Sequence, residues 1–422
     1  MALEFLKKFA FGGPGRGERL GSRWTHPVAL DRGRVQAACF AMDRQGKGMA
    51  IWENNGTLWS LAVAMAARNE MIRLPLGSGR NPRLVANQQG RAVSIWQTQD
   101  GDHQTLMGLS LNPAESGSHS AHRIFTTPGV VRNVQVAVDR RGSALVAWCH
   151  ETLFGWEVLV KAFNVRDQSW EENPTILASK LKLPVKPVLA MNRKGHALVA
   201  WQSQSDTFEG LVACHYWPKE RLWSDTPQPI APVHATEFEL AMDFSGNALA
   251  LWTTTVPGRQ PALQASYYSA TSFAWRLPET LTTAAKLRQP RLSMNGTGEA
   301  LVLWLQSGGQ KAEFLHSKAF QEGAWDLNVT RLDSEGGPFG EVAVSLGPRG
   351  QAGILYIHHG LHEDVPVVRF RSSAGWGRPS LLSKQGSHTL SHPVLSLCPE
   401  GAVALWQQGG DHNAALTMVH TC

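Results

Sequence analysis

The densest group of chemically able side chains lies in "YIHHGLHEDV", Tyr356 to Val365, which holds His358, His359, His362, Glu363 and Asp364. Imidazoles and carboxylates in one short stretch are transition-metal ligands when they converge. On a strand, however, successive side chains point to opposite faces, so His358 and His359 would not share an ion. The expectation is a solvated polar loop with no metal and no cofactor. Indole rings offer a second chemistry, stacking on sugars. Of the 16 tryptophans, most fall in two recurring slots, which marks them as packing residues. Trp59, Trp156 and Trp217 fall outside both slots and remain ligand candidates. A third chemistry is apolar docking. In "ALEFLKKFAFGGPGRGER", Ala2, Phe5, Leu6 and Phe9 share one face at helical spacing, and Phe11 follows before a glycine-rich tether. Phe5, Leu6, Phe9 and Phe11 are therefore candidates for a partner's groove or a membrane surface. The sequence contains no nucleophile elbow, phosphate loop or HExxH pattern, so no catalytic residue is assigned.

The elements that carry these residues are repeats. "MDRQGKGMAIW" ends at Trp52, "ANQQGRAVSIW" at Trp96, "VDRRGSALVAW" at Trp148 and "MNRKGHALVAW" at Trp201. "MDFSGNALALW" ends at Trp252, "MNGTGEALVLW" at Trp304, "LGPRGQAGILY" at Tyr356 and "LCPEGAVALW" at Trp406. The intervals are 44, 52, 53, 51, 52, 52 and 50 residues. Asp or Asn followed three residues later by Gly suits a type I turn. Asp43, Asn87, Asp139, Asn192, Asp243 and Asn295 occupy that slot, and turn capping is their expected role. The runs on either side are short and aliphatic, and so read as strands. Runs such as "ALVAW" are apolar on both faces and must be covered on both. A second tryptophan (Trp170, Trp223, Trp275, Trp325, Trp376) follows about 20 residues later in five repeats and opens a fourth strand.

Four-stranded units of this length, each lying between two copies of itself, define an all-β, β-propeller fold. Eight four-stranded blades are expected; seven blades plus an irregular unit is the alternative. The chain ends 16 residues after Trp406, while "RWTHPVAL" at Arg23 to Leu30 looks like a fourth strand without a blade. The N-terminal segment should therefore complete the last blade beside Ala414 to His420, removing a free sheet edge. Residues 1–21 read as a tail and 22–422 as a single propeller domain.

The pattern P-x-x-A-x-D-x-x-G-x-A-x-x-x-W, with a later G/A-W, resembles the propeller-type repeats of bacterial surface and secreted proteins, distantly akin to BNR and kelch-like repeats. That resemblance implies architecture and no single function. The sialidase Asp-box and the quinone-dehydrogenase docking motif space their glycine and tryptophan differently; here Gly246 and Trp252 are six apart.

The net charge is +6, with basic residues that look scattered along the chain, so nucleic acid is not an expected partner. Five cysteines fit neither a disulfide framework nor a zinc pair. No apolar run approaches the ~18 residues of a membrane span. The N-terminus lacks a basic-then-apolar export signal, so a cytoplasmic location is expected, with peripheral membrane contact or non-standard export as alternatives. Function should sit in the unlike loops after each repeat tryptophan and in the tail. The first expectation is a non-catalytic interaction platform or accessory subunit of a larger assembly, docked through the tail to protein partners. The second is a lectin-like, carbohydrate-binding propeller. The third is an enzyme with a site at the mouth of the central channel.

Overall fold

The computed structural model describes residues 24–64, 73–111, 121–204, 208–256, 258–307, 313–333, 336–360, 363–372, 375–383, 389–399, 401–410 and 414–421. The repeat turn forms as its chemistry requires. Asp139 Oδ1 accepts the backbone N–H groups of Arg141, Gly142 and Ser143 at 2.8–2.9 Å. The ladder then closes with Asp139 N–H on the Ser143 carbonyl at 2.8 Å. Gly142 lies at φ 97°, where a side chain would be strained, which explains the glycine of each repeat. Asp43 and Asp243 cap in the same way. Blade 7 has Gly347 in the slot, and there the Gln351 side chain accepts the Arg349 N–H at 3.0 Å.

The slot alternates Asp and Asn over six repeats, and the geometry explains why. Asn87 uses its amide N–H₂ to reach the carbonyls of Asp139 and Arg140 in the next turn, at 2.8 and 3.1 Å. Asn192 reaches Phe244 O at 3.4 Å. An amide between two carboxylates donates to the neighbouring turn and keeps like charges from facing each other.

Eight antiparallel sheets result, spanning residues 35–78, 80–127, 131–181, 188–231, 235–283, 287–331, 339–381 and 390–420. They are the eight blades of a β-propeller, numbered here 1 to 8. In blades 3 to 7 the fourth strand is broken in two. In blade 3, Ser169–Trp170 pairs with the end of the third strand and Thr175–Leu181 with its beginning. The tryptophan packs on an aromatic residue of the third strand: Phe163–Trp170 at 5.2 Å, Tyr216–Trp223 at 5.0 Å and Tyr268–Trp275 at 5.2 Å.

Blade 8 is completed from the other end of the chain. Val28–Gly33 pairs with Ala414–His420. This strand begins later than the sequence suggested; Trp24 contributes a separate bridge to Thr421. Asp31 fastens the closing strand, accepting the Trp52 indole N–H at 2.7 Å and the Asn54 amide at 2.9 Å and pairing with Arg73. Burial alone would raise the Asp31 carboxyl, but the bonds from Asn54, Trp52 and the Arg32 N–H, with the Arg73 charge, hold it below the ordinary value.

The chain divides into two compact units, residues 1–82 with 299–422 and residues 83–298. Within the first, Trp52 packs on Val403 and Leu405, and Trp406 on Leu355 and Ile357. Within the second, Trp148 packs on Val93 and Ile95, and Trp252 on Leu198 and Ala200. Each tryptophan thus covers the second strand of the blade before it. All four are buried, and truncation of one to alanine would cost about 3–5 kcal/mol.

Candidate functional site

The side chains singled out in the sequence do not converge. Phe5, Leu6, Phe9, Phe11 and His362 lie outside the described residues. His358 and His359 end one strand and face opposite ways, as the alternation demands. His358 stands edge-on to Phe339 at 6.0 Å, and His359 Nδ1 meets Asp364 Oδ1 at 2.7 Å. Their rings fill space left by Gly337 and Gly340, where a Cβ would come within 2.9 Å of either imidazole. The second Asp364 oxygen accepts the Leu390 N–H at 3.1 Å, and Glu363 is exposed. Among the described residues no group of three or more His, Cys, Asp or Glu could hold a metal ion.

Trp59 is half-buried against the blade 1 core, with the Arg73 guanidinium 4.9 Å from its ring. Trp156 is half-buried under Arg132 at 5.6 Å. Both are part of the packing and are capped by a cation. Trp217 lies away from the loops that follow the repeat tryptophans, where function is expected, at the opposite end of the strands. Its neighbour Tyr216 pairs with Ala197, which follows the Asn192 turn. There Trp217 packs on His215 at 4.5 Å and on Phe273 at 6.4 Å.

That same end carries the feature the sequence reading missed. A cleft of about 750 Å³ lies between blades 3 and 4. Seven basic residues line it: Arg140, Arg141, Arg166, Arg193, Lys194, Lys219 and Arg221. All seven are exposed, and among the described residues none closes an ion pair. The turns supply four of them, because the two variable positions of the repeat are Arg-Arg in blade 3 and Arg-Lys in blade 4. The hairpins between the third and fourth strands supply Arg166, Lys219 and Arg221. Arg140 N–H donates to Arg193 O at 3.1 Å, which holds the two basic turns side by side. Arg193 rests over the Phe244 ring at 4.3 Å.

The two carboxylates in the lining are already engaged. Asp139 holds its own turn, and Glu171 Oε2 accepts the Ala162 N–H at 3.0 Å. Burial raises the Asp139 carboxyl despite its three N–H donors. His196 is pushed down by burial and by Lys194, so it is neutral at pH 7 and can exchange hydrogen bonds with a hydroxyl. Burial raises the Tyr216 phenol, which stays protonated. Phe163 and Tyr216 are only 2% and 7% exposed, so the floor offers no open ring face.

The chemistry of this lining suits anions. Guanidinium groups match carboxylate, sulfate or phosphate oxygens in paired hydrogen bonds, and several on one wall suit a polymer with repeated charges. The expectation of scattered basic residues is thus corrected. Positions separated by a repeat length along the chain become neighbours when two blades stand together. A signal was present in the repeat alignment: both variable positions are basic only in the consecutive turns RR and RK, against RQ, QQ, FS, GT and PR in other repeats.

Neither a family model nor a curated protein matches the sequence. Solved structures do. An ulvan lyase, described as a new family of polysaccharide lyase and bound to -[GlcA(1-4)Rha3S]-, has a TM-score of 0.50 at 10% identity, covering 90% of this chain and 97% of its own. A Hadza microbial sialidase has a TM-score of 0.40 at 11% identity, covering 94% of each chain. The likeness to the lyase concerns the fold alone.

Proposed function

We propose that the protein is a carbohydrate-binding propeller that holds an acidic glycan, one bearing carboxylates or sulfates, in the cleft between blades 3 and 4. The observation that carries this reading is the wall of seven exposed cations, none of which closes an ion pair among the described residues, while the two carboxylates of the lining are spent on backbone N–H groups. A neutral sugar would ask for an exposed aromatic platform, and Phe163 and Tyr216 are covered. Single-stranded nucleic acid asks for the same platform. The interaction-platform reading rested on a tail that lies outside the described residues, whereas the cleft stands on described side chains. Residues 22–422 act in this reading as one binding domain.

The test is a binding titration with a sulfated glycan, a polyuronate (the ulvan repeat among them), neutral dextran and duplex DNA. Binding of the acidic glycans but not dextran is expected. Arg140→Glu with Lys194→Glu should weaken it by at least ~10-fold, since each lost charge-assisted bond contributes about 1.5–3 kcal/mol. No binding of either acidic glycan would end the reading. Equal affinity for duplex DNA would reassign the cleft to phosphate backbones. Shortening of the glycan on incubation would make the protein an enzyme acting at this cleft.

A further inference from the structure

The hairpin between the second and third strands turns through two residues in three consecutive blades. Asn54 pairs with Thr57, Asp100 with His103 and Thr152 with Gly155. The turn residues are Asn55-Gly56 in blade 1 and Gly101-Asp102 in blade 2, the types a tight hairpin prefers. Blade 3 has Leu153-Phe154 instead. Nothing in turn chemistry asks for them. They are 98% and 82% exposed, at the apex of an ordered turn whose Thr152 hydroxyl donates to Gly155 O at 2.8 Å.

The chain beside the tip is basic. A Cβ on Gly155 would sit 2.7 Å from Leu181 O and 3.5 Å from Lys180 Cα, so the hairpin lies directly on that segment. Lys180, Lys182 and Lys186 are exposed there, and Leu183 among them is 57% exposed.

We propose that this tip is a membrane-interface anchor, seating Leu153, Phe154 and Leu183 among the headgroups of an anionic bilayer while the lysines meet lipid phosphates. The apolar groups crown a convex turn rather than line a groove, and a bilayer accepts a convex wedge without a matching pocket. The basic collar supplies the charge complementarity that selects acidic lipid. Three apolar side chains bury little area, so the contact is reversible. This anchor is independent of the glycan cleft, which lies at the opposite end of the strands.

Sedimentation of the full chain with phosphatidylcholine vesicles, with and without phosphatidylserine, tests it. Partition onto the acidic vesicles, weakening with salt, is expected. Leu153→Ser with Phe154→Ser should lower partition at least ~10-fold while leaving thermal stability and glycan binding unchanged. Lys180→Gln with Lys186→Gln should erase the preference for acidic lipid. Failure of the wild type to sediment with acidic vesicles overturns the proposal, as does unchanged partition of the Leu153/Phe154 variant. Loss of partition on Phe5→Ser with Phe9→Ser alone would place the contact in the tail. Loss of a co-purifying protein from the Leu153/Phe154 variant, with vesicle binding intact, would assign the tip to a protein partner.

Discussion

His215 is a buried side chain whose protonation enters folding. It lies in the third strand of blade 4, only 8% exposed, in ring contact with His196, Trp217 and Phe273 at 5.6, 4.5 and 5.6 Å. Burial first, and His196 second, push its pKa from 6.5 down to about 4. Below pH 6.5 the unfolded chain therefore takes up a proton that the folded one refuses. Stability from this residue is complete above pH 6.5 and falls as the pH drops toward 4. His215→Phe keeps a ring in the cluster and removes the titration. Urea melts at pH 7.5 and 4.5 should show the wild type losing more stability than the variant; parallel losses would remove His215 from the account. The residue scale also separates what could be read from sequence. The caps of Asp43, Asp139 and Asp243 were legible, because a side chain bonding two to four residues ahead is a local event. The cleft was not, because Arg140 and Arg193 are neighbours only once two blades stand together.

At the scale of the element, the strand order and the late tryptophan were legible from period and spacing, but a recurring irregularity was not. The first strand bulges at one slot in several blades. Ala37, Asn81, Asn133, Gln289 and His392 all take the left-handed conformation, with φ of 47°, 52°, 55°, 52° and 52°. Register shifts bracket the slot in blades 1, 3 and 8. Asparagine tolerates this conformation, and Asn133 also donates from its amide to Val185 O at 3.0 Å, tying blade 3 to the segment entering blade 4. Glu237 and Glu341 use the same position to accept the N–H of Gln289 and His392, at 3.4 and 3.0 Å. The bulge is thus a link between successive blades, and no hydrophobic pattern encodes it. Ala37 bears the strain without a polar side chain to make the link. Ala37→Asn should raise stability by about 0.5–1 kcal/mol, read as a higher thermal midpoint. An unchanged or lower midpoint would mean that the slot gains nothing from asparagine in blade 1.

For the whole molecule, the question is whether an acidic ligand answers to the overall charge or to one place. A net charge of +6 attracts any polyanion weakly, and salt screens that attraction within about 10 Å. The cleft concentrates seven cations against two engaged carboxylates, so its field is local and its hydrogen bonds are directional. Two variants separate these effects. Arg140→Glu with Lys194→Glu alters the cleft, while Arg44→Glu with Arg349→Glu alters exposed turn positions in blades 1 and 7. Each pair removes four charges and leaves both proteins at the same net value of +2. If the cleft is the site, the first pair loses the acidic glycan and the second binds it as the wild type does. The salt dependence should change in parallel: the slope of log K against log salt falls by about 2 when two contacts are lost and stays put when the charges lie elsewhere. Equal losses in the two variants would mean that the protein attracts polyanions only through its net charge, and the cleft would then hold no specific ligand.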